Sequence, residues 1–259
     1  MSEMRIIVLV KQVPDPNLVT ISKEGYLLRE NVPSMTDPFG MMALQHALRL
    51  KKEIGAHVTA VSMGPAQAED MLRRCLEYGV DEAILLSDKA FAGADTLATA
   101  RTLGCFLKSR RYDFIFCGMQ ATDGDTGQLP PELSAVLGIQ IYSYVSKVVI
   151  DDPLRMTQIY EDRSLEIEAH GPAVVSFLRP PEDGIVLPSM VDFVDAKGKE
   201  VTVLSAWMVG VPPGSMGSNG SKTHVIKTQT VKKVQKETEF IDGSDSRSAA
   251  LALISEVKG

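Results

Sequence analysis

Four short apolar runs, each followed by a turn and a segment of helical length, limit this chain to few architectures. They are Arg5-Ile6-Ile7-Val8-Leu9-Val10, His57-Val58-Thr59-Ala60-Val61-Ser62-Met63, Ala83-Ile84-Leu85-Leu86 and Phe114-Ile115-Phe116-Cys117. The runs are continuous in hydrophobicity rather than alternating, so each is expected to be a parallel strand covered on both faces. Between them lie helical segments at residues 40–54, 66–78, 97–108 and 130–137. The first carries Met42, Leu44, Ala47, Leu48 and Leu50 as an apolar face and closes at Gly55. Residues 140–150 supply a fifth strand. Strands alternating with helices of this length build right-handed βαβ units, hence a three-layer α/β fold with a parallel sheet.

In such a fold the turns after the strands all lie on one edge. Lys11-Gln12 follows the first run, where Pro14 is expected to stop the strand. Thr36-Asp37-Pro38-Phe39 reads as cap, turn and proline at a helix start. Ser62-Met63-Gly64-Pro65 follows the second run, and Gly93-Ala94-Asp95-Thr96 caps the helix after the third. Gly118 ends the fourth run. Asp123-Gly124-Asp125-Thr126-Gly127-Gln128 then provides turn and N-cap residues before the next helix. Each turn alone is an ordinary capped βα connection. Together they point to a crevice at the carboxyl ends of the strands, where backbone N–H groups and helix dipoles favour a phosphate. Neither a G-x-G-x-x-G nor a Walker A sequence is present.

The remaining sequence narrows the function by exclusion. With 259 residues and 44% hydrophobic side chains, one sizeable core is within reach. A net charge of −6 without a basic stripe excludes nucleic acid as the expected partner. The three cysteines, Cys75, Cys105 and Cys117, are widely spaced, which implies reduced thiols and neither a disulfide framework nor a metal site. The first apolar run is too short for a signal peptide, and no run approaches the ~20 residues of a membrane span, so a cytoplasmic protein is expected. His46, His57, His170 and His224 are scattered, and no nucleophilic triad is discernible.

Outside the alternation, residues 20–29 read as a hairpin turning at Lys23-Glu24-Gly25. Residues 156–160 and 165–169 form a second pair of extended pieces, and residues 172–177 another buried strand. A proline-rich loop from Arg179 leaves Leu187-Pro188-Ser189-Met190 as an apolar tip suited to a partner contact. Residues 211–223 are rich in Gly, Pro, Ser and Asn and read as a core-less linker. A helix at 246–257 ends the chain. The expected division is an α/β domain over residues 1–210 and an arm over 211–259 that packs on another subunit.

The chain resembles the β subunits of electron transfer flavoproteins, a family that includes the nitrogen-fixation-associated small subunit. The resemblance rests on Val10-Lys11-Gln12-Val13-Pro14-Asp15, Asp37-Pro38-Phe39, Ser62-Met63-Gly64-Pro65, Gly93-Ala94-Asp95-Thr96, the run from Cys117 to Gln128, Pro172-Ala173-Val174-Val175 and Gly220-Ser221-Lys222-Thr223. It implies an adenine-nucleotide α-hydrolase-like fold, pairing with an FAD-bearing α subunit, and a nucleotide in the strand-end crevice. That nucleotide is a structural AMP in the simple shuttles. In the bifurcating members it is a second FAD, which takes electrons from NADH and divides them between a low-potential acceptor such as ferredoxin and a partner dehydrogenase. The short run from Asp123 to Gln128, together with Gly93-Ala94-Asp95-Thr96, resembles the bifurcating group.

By this resemblance Thr126, Gly127 and Gln128 donate to phosphate, and Asp95 and Thr96 face the cofactor. Lys11, Gln12, Asp37, Ser62, Gly64, Gly118, Gln120, Asp123, Gly124 and Asp125 complete the pocket, and Leu187 and Met190 meet the dehydrogenase. Two departures stand out. Gln158 or Ile159, flanked by Arg155 and Arg163, falls where the family often has a flavin-side arginine. Asp192 and Asp195 replace lysines after Pro188. A nucleotide-sensing module of the stress-protein type shares the fold and is the alternative from another functional class.

Overall fold

The computed structural model describes residues 3–15, 20–21, 27–28, 33–182, 184–224, 226 and 240–258. Strand β1 (Arg5–Leu9) leads into β2 (Gln12–Pro14), the short pair β3 (Thr20–Ile21) and β4 (Leu27–Leu28), β5 (Ser34–Thr36) and helix α1 (Pro38–Ile54). The alternation continues through β6 (His57–Met63), α2 (Ala68–Glu77), β7 (Glu82–Leu86), α3 (Thr96–Leu107), β8 (Phe114–Gly118) and α4 (Leu129–Leu137). Then come β9 (Gln140–Val149), β10 (Leu154–Ile159), β11 (Ser164–Ala169), β12 (Ala173–Phe177), α5 (Met190–Lys197), β13 (Val201–Leu204), α6 (Ala206–Val209), α7 (Gly217–Gly220) and α8 (Ser246–Lys258).

Nine strands form one sheet in the order β11-β10-β9-β12-β8-β1-β6-β7-β13. It is parallel from β9 to β13, while β9, β10 and β11 form an antiparallel meander at one side. Successive residues of the central strands feed two separate cores, which is why the runs read as continuously apolar. Ile6, Val8, Phe114, Phe116, Val175 and Phe177 pack with α1 and α2 on one face. Ile7, Leu9, Ile115, Cys117 and Val174 pack with α3 and Leu133 of α4 on the other. Phe116 and Phe177 meet edge to face, ring centroids 4.7 Å apart. Fully burying either ring stabilises the sheet by about 1.5–3 kcal/mol.

Several expectations need correction. Pro14 does not stop β1, which ends at Leu9; it is the last residue of β2, paired opposite Ser34 of β5. Thr20–Ile21 and Leu27–Leu28 do pair antiparallel, whereas the expected turn at 23–25 lies outside the described residues. Met190 does not sit at a loop tip: Ser189 and Asp192 form a capping box that starts α5 there. The edge strand β13, with Val201 buried and Val203 exposed, was not expected. Nor is 211–223 core-less: Val211, Gly217, Gly220 and Ser221 are buried, and the segment packs beside the start of α3.

Candidate functional site

Chain order and strand order locate the crevice. From β1 the chain moves through α1 to β6 and through α2 to β7, advancing in one direction along one face. The next crossover, α3, returns along the opposite face to β8, on the other side of β1. The order therefore reverses between β1 and β8, and outside the carboxyl ends of those strands the flanking connections diverge to leave a ligand crevice. Lys11, just beyond β1, and Asp123, beyond β8, meet across this point: Lys11 Nζ donates to Asp123 Oδ1 at 2.7 Å.

Two carboxylates hold the walls, each through both of its oxygens. Asp37, 1% exposed, accepts the N–H groups of Phe39 and Gly40 through one oxygen, capping α1. Its other oxygen accepts the amide and hydroxyl of Thr122, tying α1 to the loop after β8. Gly118 makes this approach possible, since a Cβ there would lie 2.5 Å from Phe39 Cβ and 2.6 Å from its carbonyl carbon. Asp95 caps α3 by accepting from Ala98 at 2.9 Å, while its second oxygen takes the amides of Lys222 and Thr223 and the Thr223 hydroxyl. Burial alone raises the Asp95 pKa, but these bonds outweigh it and hold the carboxyl below its usual range. Both side chains thus shape the crevice through the wall segments they tie together.

The loop from Met119 to Gln128 is the part that offers donors. Ala121 O accepts from Gly124 and Asp125, and the chain then takes left-handed conformations at Asp125 (φ 51°) and Gly127 (φ 62°), the latter needing glycine. Gln120 binds Asp125 Oδ1 and Lys11 binds Asp123, so both loop carboxylates are screened by donors. The amides of Thr126 and Gly127 donate to no group among the described residues, and Thr126 and Gln128 are exposed. Thr96 Oγ1 donates to Gln128 Oε1 at 3.2 Å, which brings the start of α3 onto this loop. The start of α4 is a weaker anion site than its position suggests. Pro130 and Pro131 remove two of its first N–H groups, and Gln128 makes no side-chain cap.

Lys11, Asp37, Thr96, Gly118, Gln120 and residues 123–128 therefore converge on the expected edge. Ser62 lies one residue before the end of β6, buried, its hydroxyl without a partner among the described residues. Gly64 donates to Leu86 O, closing the β6–β7 end of the crevice. Gln12 turns away, donating to Gln67 O and lining a separate cavity of about 220 Å³. Gln158 sends its amide to Ser143 O, Arg155 pairs with Asp151, and Arg163 lies over the Tyr160 ring, so these three engage the meander. Asp192, the departure after Pro188, is the third residue of α5 and completes its capping box by accepting the Ser189 amide. Cys117, at the end of β8, is no thiolate candidate: burial pushes its pKa up to about 12.

Ser221 was not singled out as a site residue, yet its hydroxyl accepts from Asp95 N and lies 2.9 Å from Gly217 O and 3.1 Å from Gly93 O, one of which takes its proton. The pairing of Gly93-Ala94-Asp95-Thr96 with Gly220-Ser221-Lys222-Thr223 was the available signal. Two larger cavities, about 250 and 410 Å³, open at the opposite edge of the sheet around Arg5, Arg110 and Arg111. Among the described residues no helix is long and apolar enough to cross a membrane.

Fold and crevice define a three-layer α/β protein whose ligand edge is organised about a topological switch point. A family model described as the electron transfer flavoprotein domain matches residues 25–206. The chain is 41% identical over 257 residues to the electron transfer flavoprotein subunit beta of Clostridium acetobutylicum, covering 98% of each. It is 37% identical over 259 residues, again 98% of each, to the caffeyl-CoA reductase-Etf complex subunit CarD of Acetobacterium woodii. Over 239 residues, 88% of each chain, it is 33% identical to the acryloyl-CoA reductase electron transfer subunit gamma of Anaerotignum propionicum. The chain belongs to the electron transfer flavoprotein family, as a relative of its β subunits, and its role is electron transfer.

Proposed function

We propose that this chain is the β subunit of a bifurcating electron transfer flavoprotein, cytoplasmic and paired with an FAD-bearing α subunit, which binds a second FAD in the β1/β8 crevice. The residues present fit a dinucleotide. Thr126 and Gly127 offer unpaired amides, Lys11 a cation whose side chain is half exposed, and Ser62 a buried hydroxyl lacking a partner. The observation that carries the reading is the Thr96–Gln128 hydrogen bond. It joins the two motifs whose coexistence marks the resemblance to the bifurcating group.

When bound, FAD supplies hydride acceptance from NADH and one-electron delivery to the α subunit and to a low-potential acceptor such as ferredoxin. The chain's own part is to bind, orient and tune. Residues 126–128 hold the phosphates, and Lys11 offsets the Asp123 carboxylate beside them. Asp37 and Asp95 fix the walls so that the donors are preorganised. AMP remains the alternative occupant, since the same donors meet the phosphate of an adenosine monophosphate. The family match leaves the stress-protein reading without support.

The exposed apolar side chains Leu187 (75%), Met190 (79%), Val191 (67%) and Val194 (62%) form the docking surface for the partner dehydrogenase. The names of two relatives, caffeyl-CoA reductase complex subunit and acryloyl-CoA reductase subunit, favour an acyl-CoA dehydrogenase as that partner. The described helix α8, with Leu251, Leu253 and Ile254 at least half exposed, belongs to an arm that packs on the α subunit.

The test is Thr126→Glu in the αβ complex. A carboxylate there repels phosphate and takes the place of the donating Thr126 hydroxyl; losing one charge-assisted hydrogen bond costs about 1.5–3 kcal/mol before the repulsion is added. The complex should fall from two flavins to one and lose NADH oxidation while staying folded. Full flavin content refutes the phosphate assignment.

A further inference from the structure

Helix α1 buries two adjacent polar residues, Gln45 (2% exposed) and His46 (1%), in a face otherwise made of Leu44, Ala47, Leu48 and Leu50. A covering helix gains nothing from such groups unless specific bonds offset their desolvation. Here the bonds leave the helix for two points of one later segment. Val186 N donates to Gln45 Oε1 at 2.6 Å, and Gln45 Nε2 donates back to Val186 O at 3.3 Å. The glutamine amide thus engages both backbone groups of one residue, as a neighbouring strand does.

His46 Nε2 lies 3.0 Å from Arg179 O, and its ring stacks on Phe177 at 4.2 Å with an 18° tilt. Burial pushes the His46 pKa down to about 4, so the ring carries one proton. A carbonyl acceptor places that proton on Nε2, while Nδ1 stays buried with no partner among the described residues. The histidine therefore holds the departure of the segment from β12, and the glutamine holds its arrival at Val186. Leu187 follows at once, and the Ser189 cap of α5 two residues later.

We propose that Gln45 and His46 are positioning residues for partner docking: by clamping the backbone at 179 and 186 they hold Leu187 and the apolar side of α5 in the orientation the dehydrogenase meets. This rests on the reading of that surface as the docking site. A preset surface loses less conformational freedom on association than one that must be ordered first. Asp37, at the other end of α1, separately holds the loop after β8, so clamp and cofactor wall are distinct ends of one helix.

The experiment uses the αβ complex with Gln45→Leu and, separately, His46→Phe, which keeps the stack on Phe177 and drops the hydrogen bond. Hydrogen exchange is read at the backbone amides of residues 184–187 and 189, and electron transfer is measured with an acyl-CoA dehydrogenase as the probe, Leu187→Ala serving as the surface control. The clamp predicts exchange at Val186 about tenfold faster, the loss of one or two buried hydrogen bonds. It predicts a KM for the dehydrogenase raised about fivefold at unchanged kcat. Bound flavin should stay at its wild-type content. Unchanged exchange in both variants overturns the clamp. Faster exchange with an unaltered KM, where Leu187→Ala does raise it, overturns the positioning role. If Leu187→Ala also leaves KM unaltered, the docking reading fails, and with it the role assigned to the pair, while faster exchange still upholds the clamp itself.

Discussion

Asp95→Ala removes the group on which the start of α3 and residues 222–223 both depend. One oxygen caps α3 through Ala98, a contribution of about 1 kcal/mol for an Asp N-cap. The other accepts Lys222 N at 2.6 Å, Thr223 N at 3.0 Å and Thr223 Oγ1 at 3.2 Å. Buried, each bond to a charged group contributes about 1.5–3 kcal/mol, but Asp95 is only half buried. Water competes for these donors, so the three together are worth about 1.5 kcal/mol. The substitution should therefore cost about 2.5 kcal/mol at pH 7, read as a lowered urea midpoint at unchanged m-value.

The pH dependence has a definite sign. The folded carboxyl titrates below its unfolded value, so its contribution is fully present above about pH 4 and disappears as pH falls through the folded pKa. The gap between wild type and Asp95→Ala should be constant from pH 8 to pH 5 and shrink below pH 4. A gap under about 0.5 kcal/mol at pH 7 refutes the argument. So does a gap that persists undiminished in acid.

Two further expectations follow from packing. Gly118→Ala sets a methyl against Phe39 backbone atoms that cannot rotate away, so it should destabilise the chain by about 1–3 kcal/mol in urea unfolding; an unchanged midpoint contradicts the close approach. Truncation after residue 240 removes α8, whose Leu251 and Leu253 are about 60% exposed, and should weaken heterodimer formation while far-UV circular dichroism reports an intact α/β fold; an unaltered elution profile of the truncated pair sinks the docking of the arm.

The parallel core was legible because its strands are buried on both faces. Ile6 to Val10 and Phe114 to Cys117 had no polar residue to interrupt them, and Asp37 and Asp95 announced their helices as caps. What escaped notice had no such signature. β13 is a four-residue edge strand with a half-exposed face, and α5 buries only Ala196, so neither shows a core-facing stripe. Residues 211–223 read as a linker because their composition is small and polar. They are held by backbone donors to Asp95 and by buried glycines, which hydropathy does not register. Within the site, the turns after the strands share one edge, as the strand–helix alternation implied, while Gln12 turns away to Gln67. That the Asp37 and Asp95 carboxylates each tie a second segment to their helix depends on partners 85 and 127 positions away, Thr122 and Lys222, which no local pattern reveals.

The central claim is that the β1/β8 crevice holds FAD, and the nucleotide content of the purified wild-type heterodimer tests it most directly. After release by acid and separation by chromatography, the account predicts two FAD per αβ pair and no AMP, with Lys11, Ser62 and residues 126–128 serving the second flavin. One FAD accompanied by one AMP would contradict it.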